Sequence, residues 1–423
     1  MRRAAALLLA LSLLVVATAT AATTASAPRF ESCVGSGGGC AKAPAGTLGG
    51  VAALAVAPDG RHLYAAGFRS DAVSAFAIGA DGRLGFDGCV ADGGAGVSGC
   101  ATAPEGTLES PAGLAAGRGA LYVASQGSDA VTALRLRGGG HPTFRDCVAM
   151  AEEGCATSGA AALRGPTALA LGPGGRDLYV ASADGASVTR LRTGGAKLRA
   201  AGCLAYAGAF GCGRVRKNSL SGADAIAVAP NGRAAYAVAF NSAAVTELAR
   251  TRSGSLTYRG CVGDRGPADC RPLPRGTLAG AAGVAVAPHG HDLYVASQVG
   301  TVTHFAVTAG GRLAFAGCIG DGGLAGCVGA PRHLLSGATG IAVAPDGRNL
   351  YVAAKGSDAI VELSTAGPAP KILGCVRGGG GQGCASAPAP SLRGAYGLAV
   401  APSGRALFAS ASGGGSVSSF SLR

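Results

Sequence analysis

The chain has 423 residues, of which 48% are hydrophobic and only 14% charged, with 74 glycines and no tryptophan. This excludes a disordered protein, which would be charged and poor in aliphatics. The formal charge is +13, but the basic residues are scattered. No specific nucleic-acid partner is therefore expected, and a polyanion is the one partner the charge alone suggests.

Arg2 and Arg3 precede an apolar run from Ala4 to Val16, broken only by Ser12. Small residues follow. Residues 1–27 read as a secretory signal peptide, with cleavage after Ala19, Ala21 or Ala27, the last disfavoured by Pro28. The run is short for a membrane span, an uncleaved anchor being the alternative. Residues 28–423 are expected as one domain, secreted or held in the cell envelope, without a membrane span and monomeric.

The cysteines reveal a repeat. Cys33, Cys89, Cys147, Cys203, Cys261, Cys318 and Cys375 are spaced 56, 58, 56, 58, 57 and 57 residues apart. Each has a partner seven to eleven residues on, which uses all 14 cysteines. An even count behind a signal peptide implies disulfides. The sevenfold repeat favours pairing within each loop: Cys33–Cys40, Cys89–Cys100, Cys147–Cys155, Cys203–Cys212, Cys261–Cys270, Cys318–Cys327 and Cys375–Cys384. Zinc needs four closely spaced ligands and each loop offers two, so no metal is expected.

Between cysteine pairs four short apolar runs recur. Examples are GVAVAPHG (Gly283 to Gly290), DLYVAS (Asp292 to Ser297), DAVTALRL (Asp129 to Leu136) and RLAFAGC (Arg312 to Cys318). Their length and their Val, Tyr and Phe content predict strands. Pro-x-Gly steps at Pro58, Pro230, Pro288, Pro345 and Pro402 predict turns between the first two. The second repeat lacks the Pro in GLAAGRGALYVAS (Gly113 to Ser125), which predicts a tighter hairpin. First strands begin near Leu48, Leu108, Leu163, Leu220, Leu278, Leu335 and Leu392. Four antiparallel strands per repeat, seven times, predict an all-β, seven-bladed β-propeller. The last repeat ends after its third strand, Ser416 to Arg423, while Arg29 to Val34 has no strands before it. The N-terminal segment is expected to be the fourth strand of the last blade and to close the ring.

The LYVAS segments at Leu121, Leu178 and Leu293, AVAPDGR at Ala342 to Arg348 and GSDAV at Gly127 to Val131 resemble the YVTN-type propeller repeat. That class includes lactonase-like proteins, among them six-phosphogluconolactonase-like and muconate-lactonizing propellers, and also secreted or cell-surface repeat proteins. The resemblance spans the mature chain and lies in scaffold residues. It implies lactone ring chemistry at the central opening. The inserted cysteine loops depart from the cytosolic enzymes of the class.

Alternating strands place the cysteine loops, the entries to the first strands and the turns between second and third strands on one face. There the repeat breaks its pattern. Glu109, Arg164 and Arg393 follow the entry leucine, and Asp224 and Tyr396 lie three residues beyond that position. These five are the candidate ring for an anionic or sugar-like ligand, with Arg as bidentate donor; solvated rim residues are the alternative. His333, beside Arg332, is the one histidine in a loop on this face. Asp71, Asp129 and Asp358 in the GSDAV-type turns are expected to accept backbone hydrogen bonds. CVADGG and CIGDGG read as turns, because they lack the ligand series of an EF-hand. No nucleophile elbow, His-Glu-x-x-His motif or phosphate loop is present, and no cofactor is expected. The leading expectation is a binding or scaffold protein that takes a small molecule, polysaccharide or protein on the cysteine-loop face. The alternative is an exported lactonase-like hydrolase or isomerase.

Overall fold

The computed structural model describes residues 27–423, except 139, 152–153, 159–160, 196, 217 and 265–269. The signal peptide reading thus falls almost entirely outside the described residues. Among these, no helix is long and apolar enough to cross a membrane. Seven sheets of five strands make a seven-bladed β-propeller.

Blade one runs through Val51–Val56, His62–Gly67, Ala72–Ile78, Leu84–Asp92 and Ala101–Ala103. Blades two to six repeat this order. Blade seven takes Ala395–Val400, Ala406–Ala411 and Ser416–Ser421 from the C-terminus and Arg29–Gly35 from the N-terminus. Arg29–Gly35 pairs antiparallel with Ser416–Ser421, Val34 facing Val417. The ring is therefore closed between the ends of the chain, as the complementary partial repeats require. In blade two the first hairpin turns on Arg118 and Gly119, with Gly117 opposite Ala120; Gly119 takes φ +71°, open to glycine at no steric cost.

The second strands are the heart of each blade. Asp177–Ser182 and Ala234–Ala239 are buried along their whole length, between neighbouring strands and neighbouring blades. The core lies in the seams between blades. In one seam Tyr64 and Val73 of blade one pack with Leu121 and Val123 of blade two. Across the closure, Phe408 and Val417 of blade seven pack with Leu63 and Phe76 of blade one.

Each blade carries one strand more than the four-stranded unit, a short outer strand parallel to the fourth. Parallel neighbours usually need a crossover of a dozen or more residues. Here the crossover is the cysteine loop. All seven disulfides form within their own loops, with Cα–Cα distances of 4.7–4.9 Å. Each sits one position before the first pair of the parallel ladder. Cys318–Cys327 precedes Ile319 opposite Val328, and Cys33–Cys40 precedes Val34 opposite Ala41. The cross-link holds the register of a strand only two or three residues long.

Polar latches join the blades. Asp71, Asp129 and Asp358 accept the N–H of Ser110, Gly165 and Gly394 from the following blade, each at 2.7 Å. Asp92 of CVADGG accepts from Gly94, Gly106, Thr107 and Leu108, bracing the passage into blade two. On the other face, the Tyr64, Tyr179 and Tyr236 hydroxyls donate to Gly140, Gly254 and Gly311 carbonyls of the next blade.

Candidate functional site

The first strands surround a central cavity of about 780 Å³, lined from all seven blades. Its shape follows from one repeated irregularity. Every first strand carries a register shift directly after its opening residue, at Val51/Ala53, Pro111/Gly113, Pro166/Ala168, Ala223/Ala225, Ala281/Gly283, Ala338/Ile341 and Ala395/Leu398. A bulge leaves its extra residue out of the ladder and re-aims the side chain. The residues so released are Ala52, Ala112, Thr167, Asp224, Ala282, Thr339 and Tyr396, and all seven line the cavity.

Five of these are alanine or threonine and offer a ligand little: the Thr167 hydroxyl donates to the Ala223 carbonyl at 2.8 Å and the Thr339 hydroxyl to the Tyr396 carbonyl at 3.0 Å. Asp224 is different. No ion pair or hydrogen bond holds its carboxylate among the described residues, and burial pushes its pKa up to about 6. Burial also pushes Tyr396 up to about 12, with the Asp224 charge adding to the shift. The two line the same cavity. The Lys355 ammonium lies 5.4 Å from the centre of the Tyr396 ring, within cation–π range.

The cations gather on one side. Arg69 belongs to blade one, Lys355 to blade six and Arg393 to blade seven, three consecutive members of the ring, and all three line the cavity. Each is exposed, and none forms a salt bridge among the described residues. Arg393 is steadied by its backbone: its carbonyl accepts the N–H of Gly413 and of Gly414, both at 3.0 Å. Deeper in the cavity the second residue past each bulge is aliphatic, as at Leu54, Leu114, Leu169, Val284, Ile341 and Leu398.

Of the residues singled out in the sequence, Asp224, Arg393 and Tyr396 thus share one cavity. Glu109, Arg164 and His333 are exposed and are not among the residues that line it. The Glu109 and Arg164 carbonyls accept from Gly127 and Gly185 in the turns of their own blades. His333 adopts φ +64° in the loop after Arg332. Sequence reasoning missed Arg69 and Lys355, together with Phe68 and Gln126. Phe68, Gln126 and Lys355 occupy the same place in the repeat, directly after the second strand, where other blades carry Ala183, Phe240, Gln298 and Ser412. A comparison of repeats at that turn exposes the one lysine of the set.

No protein-family model matches the chain, and no curated protein matches it in sequence. Solved structures do. The periplasmic gluconolactonase of Pseudomonas aeruginosa is 19% identical over 77% of this chain and 84% of its own, with a TM-score of 0.57. A putative 6-phosphogluconolactonase of Bacteroides uniformis is 18% identical over 75% and 82%, with a TM-score of 0.55. A chain of Kuenenia stuttgartiensis hydrazine synthase is 13% identical over 88% and 96%, with a TM-score of 0.56. The structural neighbours thus include 6-phosphogluconolactonase-like propellers. At such identities the likeness is one of fold, and hydrazine synthase shows that the fold alone selects no reaction.

Proposed function

We propose that the protein works outside the cytoplasm and binds a small organic anion at the mouth of its central channel. The observation that carries the reading is the arc of Arg69, Lys355 and Arg393 on three consecutive blades, each lining the cavity without a protein counter-ion among the described residues. Guanidinium groups grip carboxylate or phosphate in bidentate fashion. Seven disulfides support an oxidising compartment, as does the signal-like segment before residue 28. The test is calorimetric titration with sugar acids and short aliphatic carboxylates. Replacing Lys355 and Arg393 together by Met should weaken binding by about tenfold or more, a loss of about 1.4 kcal/mol. Equal binding by the parent and the variant would move the site elsewhere.

A second reading is lactone hydrolysis, favoured by Asp224, whose raised pKa suits a general base near neutrality, and by neighbours named as gluconolactonases. Asp224 would take a proton from water as the water oxygen bonds to the lactone carbonyl carbon. The ring C–O bond then breaks, and the proton passes to the departing alkoxide, leaving a hydroxy acid. Hydrolysis of gluconolactone above the spontaneous rate, lost in Asp224→Asn, is the expected result. Equal rates with and without protein would exclude gluconolactone as a substrate.

A further inference from the structure

The channel is charged at two places of opposite sign. Asp224 stands on blade four. In a ring of seven, blade four is three places from blade seven and three from blade one, so it faces the cationic arc across the opening. No cationic side chain forms an ion pair with Asp224 among the described residues, and burial is the one influence that shifts it. Conversely, Lys355 has the face of Tyr396 as its neighbour and, among the described residues, no carboxylate in salt-bridge reach. A carboxylate drawn out of water, as Asp224 is, is ordinarily paired. Here the protein has separated the two partners and left a cavity between them.

Several polar groups of the wall between these charges are already engaged within the protein. The Thr167 and Thr339 hydroxyls donate to backbone carbonyls. The Ser412 hydroxyl donates to the Gly394 carbonyl at 2.9 Å, and the Gly397 N–H to Ser410 Oγ at 2.8 Å. The remaining bulge positions are Ala52, Ala112 and Ala282, and the tier below is aliphatic. A sugar acid would satisfy the arc but leave Asp224 without a counter-charge. A plain carboxylate would satisfy the arc and be repelled by Asp224. A molecule with an anionic end, an apolar body and a cationic end meets every part of the site.

We propose that the ligand of the channel is a zwitterion, a small amino acid-like molecule whose carboxylate rests on Lys355 and Arg393 and whose ammonium rests on Asp224 across an aliphatic-walled space. This rests on the channel mouth being the binding site and specifies what that site takes. In such a pose the ammonium supplies the counter-charge Asp224 lacks. Apolar walls strengthen both ion pairs, because attraction between charges grows as the surrounding dielectric falls.

The experiment is calorimetric titration of the full mature protein with glycine, L-leucine, 4-aminobutyrate and 6-aminohexanoate, so that the separation of the charges is varied. Each is compared with the matching carboxylate without the amine, and butylamine serves as the lone cation. At about pH 7.5, where Asp224 is ionised, at least one zwitterion should bind about tenfold tighter than its matching carboxylate. The preference should shrink towards about pH 5 as Asp224 takes up a proton. Tyr396 is the titratable neighbour whose own ionisation responds to Asp224, and it stays protonated across this range. Asp224→Asn should bring zwitterion and carboxylate to equal affinity; Asp224→Ser is the second variant should the amide disturb folding, with circular dichroism as the check. Carboxylates that bind as tightly as the zwitterions, or a preference that survives in both variants, would overturn the proposal while leaving the anion site in place. Absence of binding by every probe would overturn both.

Discussion

Asp129 Oδ1 accepts the backbone N–H of Gly165 at 2.7 Å, reaching from the turn of blade two to the entry of blade three. The aspartate holds φ +48°, a left-handed turn conformation that Asp tolerates better than most residues. Two other seams repeat the latch, through Asp71 and Asp358. Replacing Asp129 with Ala should cost about 1.5–3 kcal/mol, because a charged acceptor is lost and a buried-side donor is left without it. Denaturant unfolding of D71A, D129A and D358A, singly and together, checks this. The three seams are separate, so the losses should add.

Ring closure makes a second expectation. Deleting Arg29 to Gly35 removes the strand that pairs with Ser416–Ser421 and uncovers an edge along it. Melting temperature should fall far more than for removal of seven loop residues, and the truncated protein should associate through the bare edge. Thermal scans with light scattering read both. An unchanged melt would show that the strand does not carry the closure.

The disulfides act locally. Peptide mapping without reductant should find seven intra-loop links and no free thiol. Removing one, as in Cys318→Ser with Cys327→Ser, frees a loop of about nine residues and should cost about 2.5 kcal/mol. The outer strand Val328–Ala330 should then exchange its amide protons quickly, while the second strand Asp292–Ser297 stays protected.

Asp224 gives a pH expectation with a definite sign. Its folded pKa of about 6 lies above the ordinary carboxylate value of 3.8. The folded state therefore holds its proton more firmly than the unfolded chain. That contribution to stability is fully present below about pH 4 and disappears as pH rises through about 6. Asp224→Asn should match the parent in acid and exceed it by about 2 kcal/mol at about pH 8. Melting curves at the two pH values provide the measurement. A residue that stabilises the fold when neutralised is characteristic of a site held for binding rather than for folding.

The ring was legible because its scaffold residues repeat: seven cysteine intervals, the LYVAS strands and the Pro-x-Gly turns each mark the same place in a blade. The fifth strand was not, since Ala41–Lys42 or Val328–Ala330 is too short to show a period and exists as a strand only beside its disulfide. The lining of the central cavity was legible in part. Asp224 and Tyr396 stood out against Ala at matching positions in a first strand. Lys355 and Arg69 sit in turns, where any polar residue looks ordinary. The buried polar row on the third strands also escaped notice. Arg190, Glu247, His304 and Glu362 face the second-strand tyrosines Tyr179, Tyr236, Tyr294 and Tyr351 in the ladder. Their partners come from the neighbouring strand and from the next blade together: Arg190 meets Asp177 and the Ser253 carbonyl, and His304 meets Asp292 and the Pro368 carbonyl. A strand pattern shows which side a residue faces, and says nothing of what waits there.

The cysteine loops have a consequence for how the chain is made. No thiol needs a partner more than eleven residues away, so each bond can form as soon as its own stretch of chain meets an oxidant, first to last. The strand Arg29–Gly35 is made long before Ser416–Ser421 and must wait for it to pair. Oxidation can thus be finished repeat by repeat while assembly remains open, and the final step is a docking event that no redox enzyme assists.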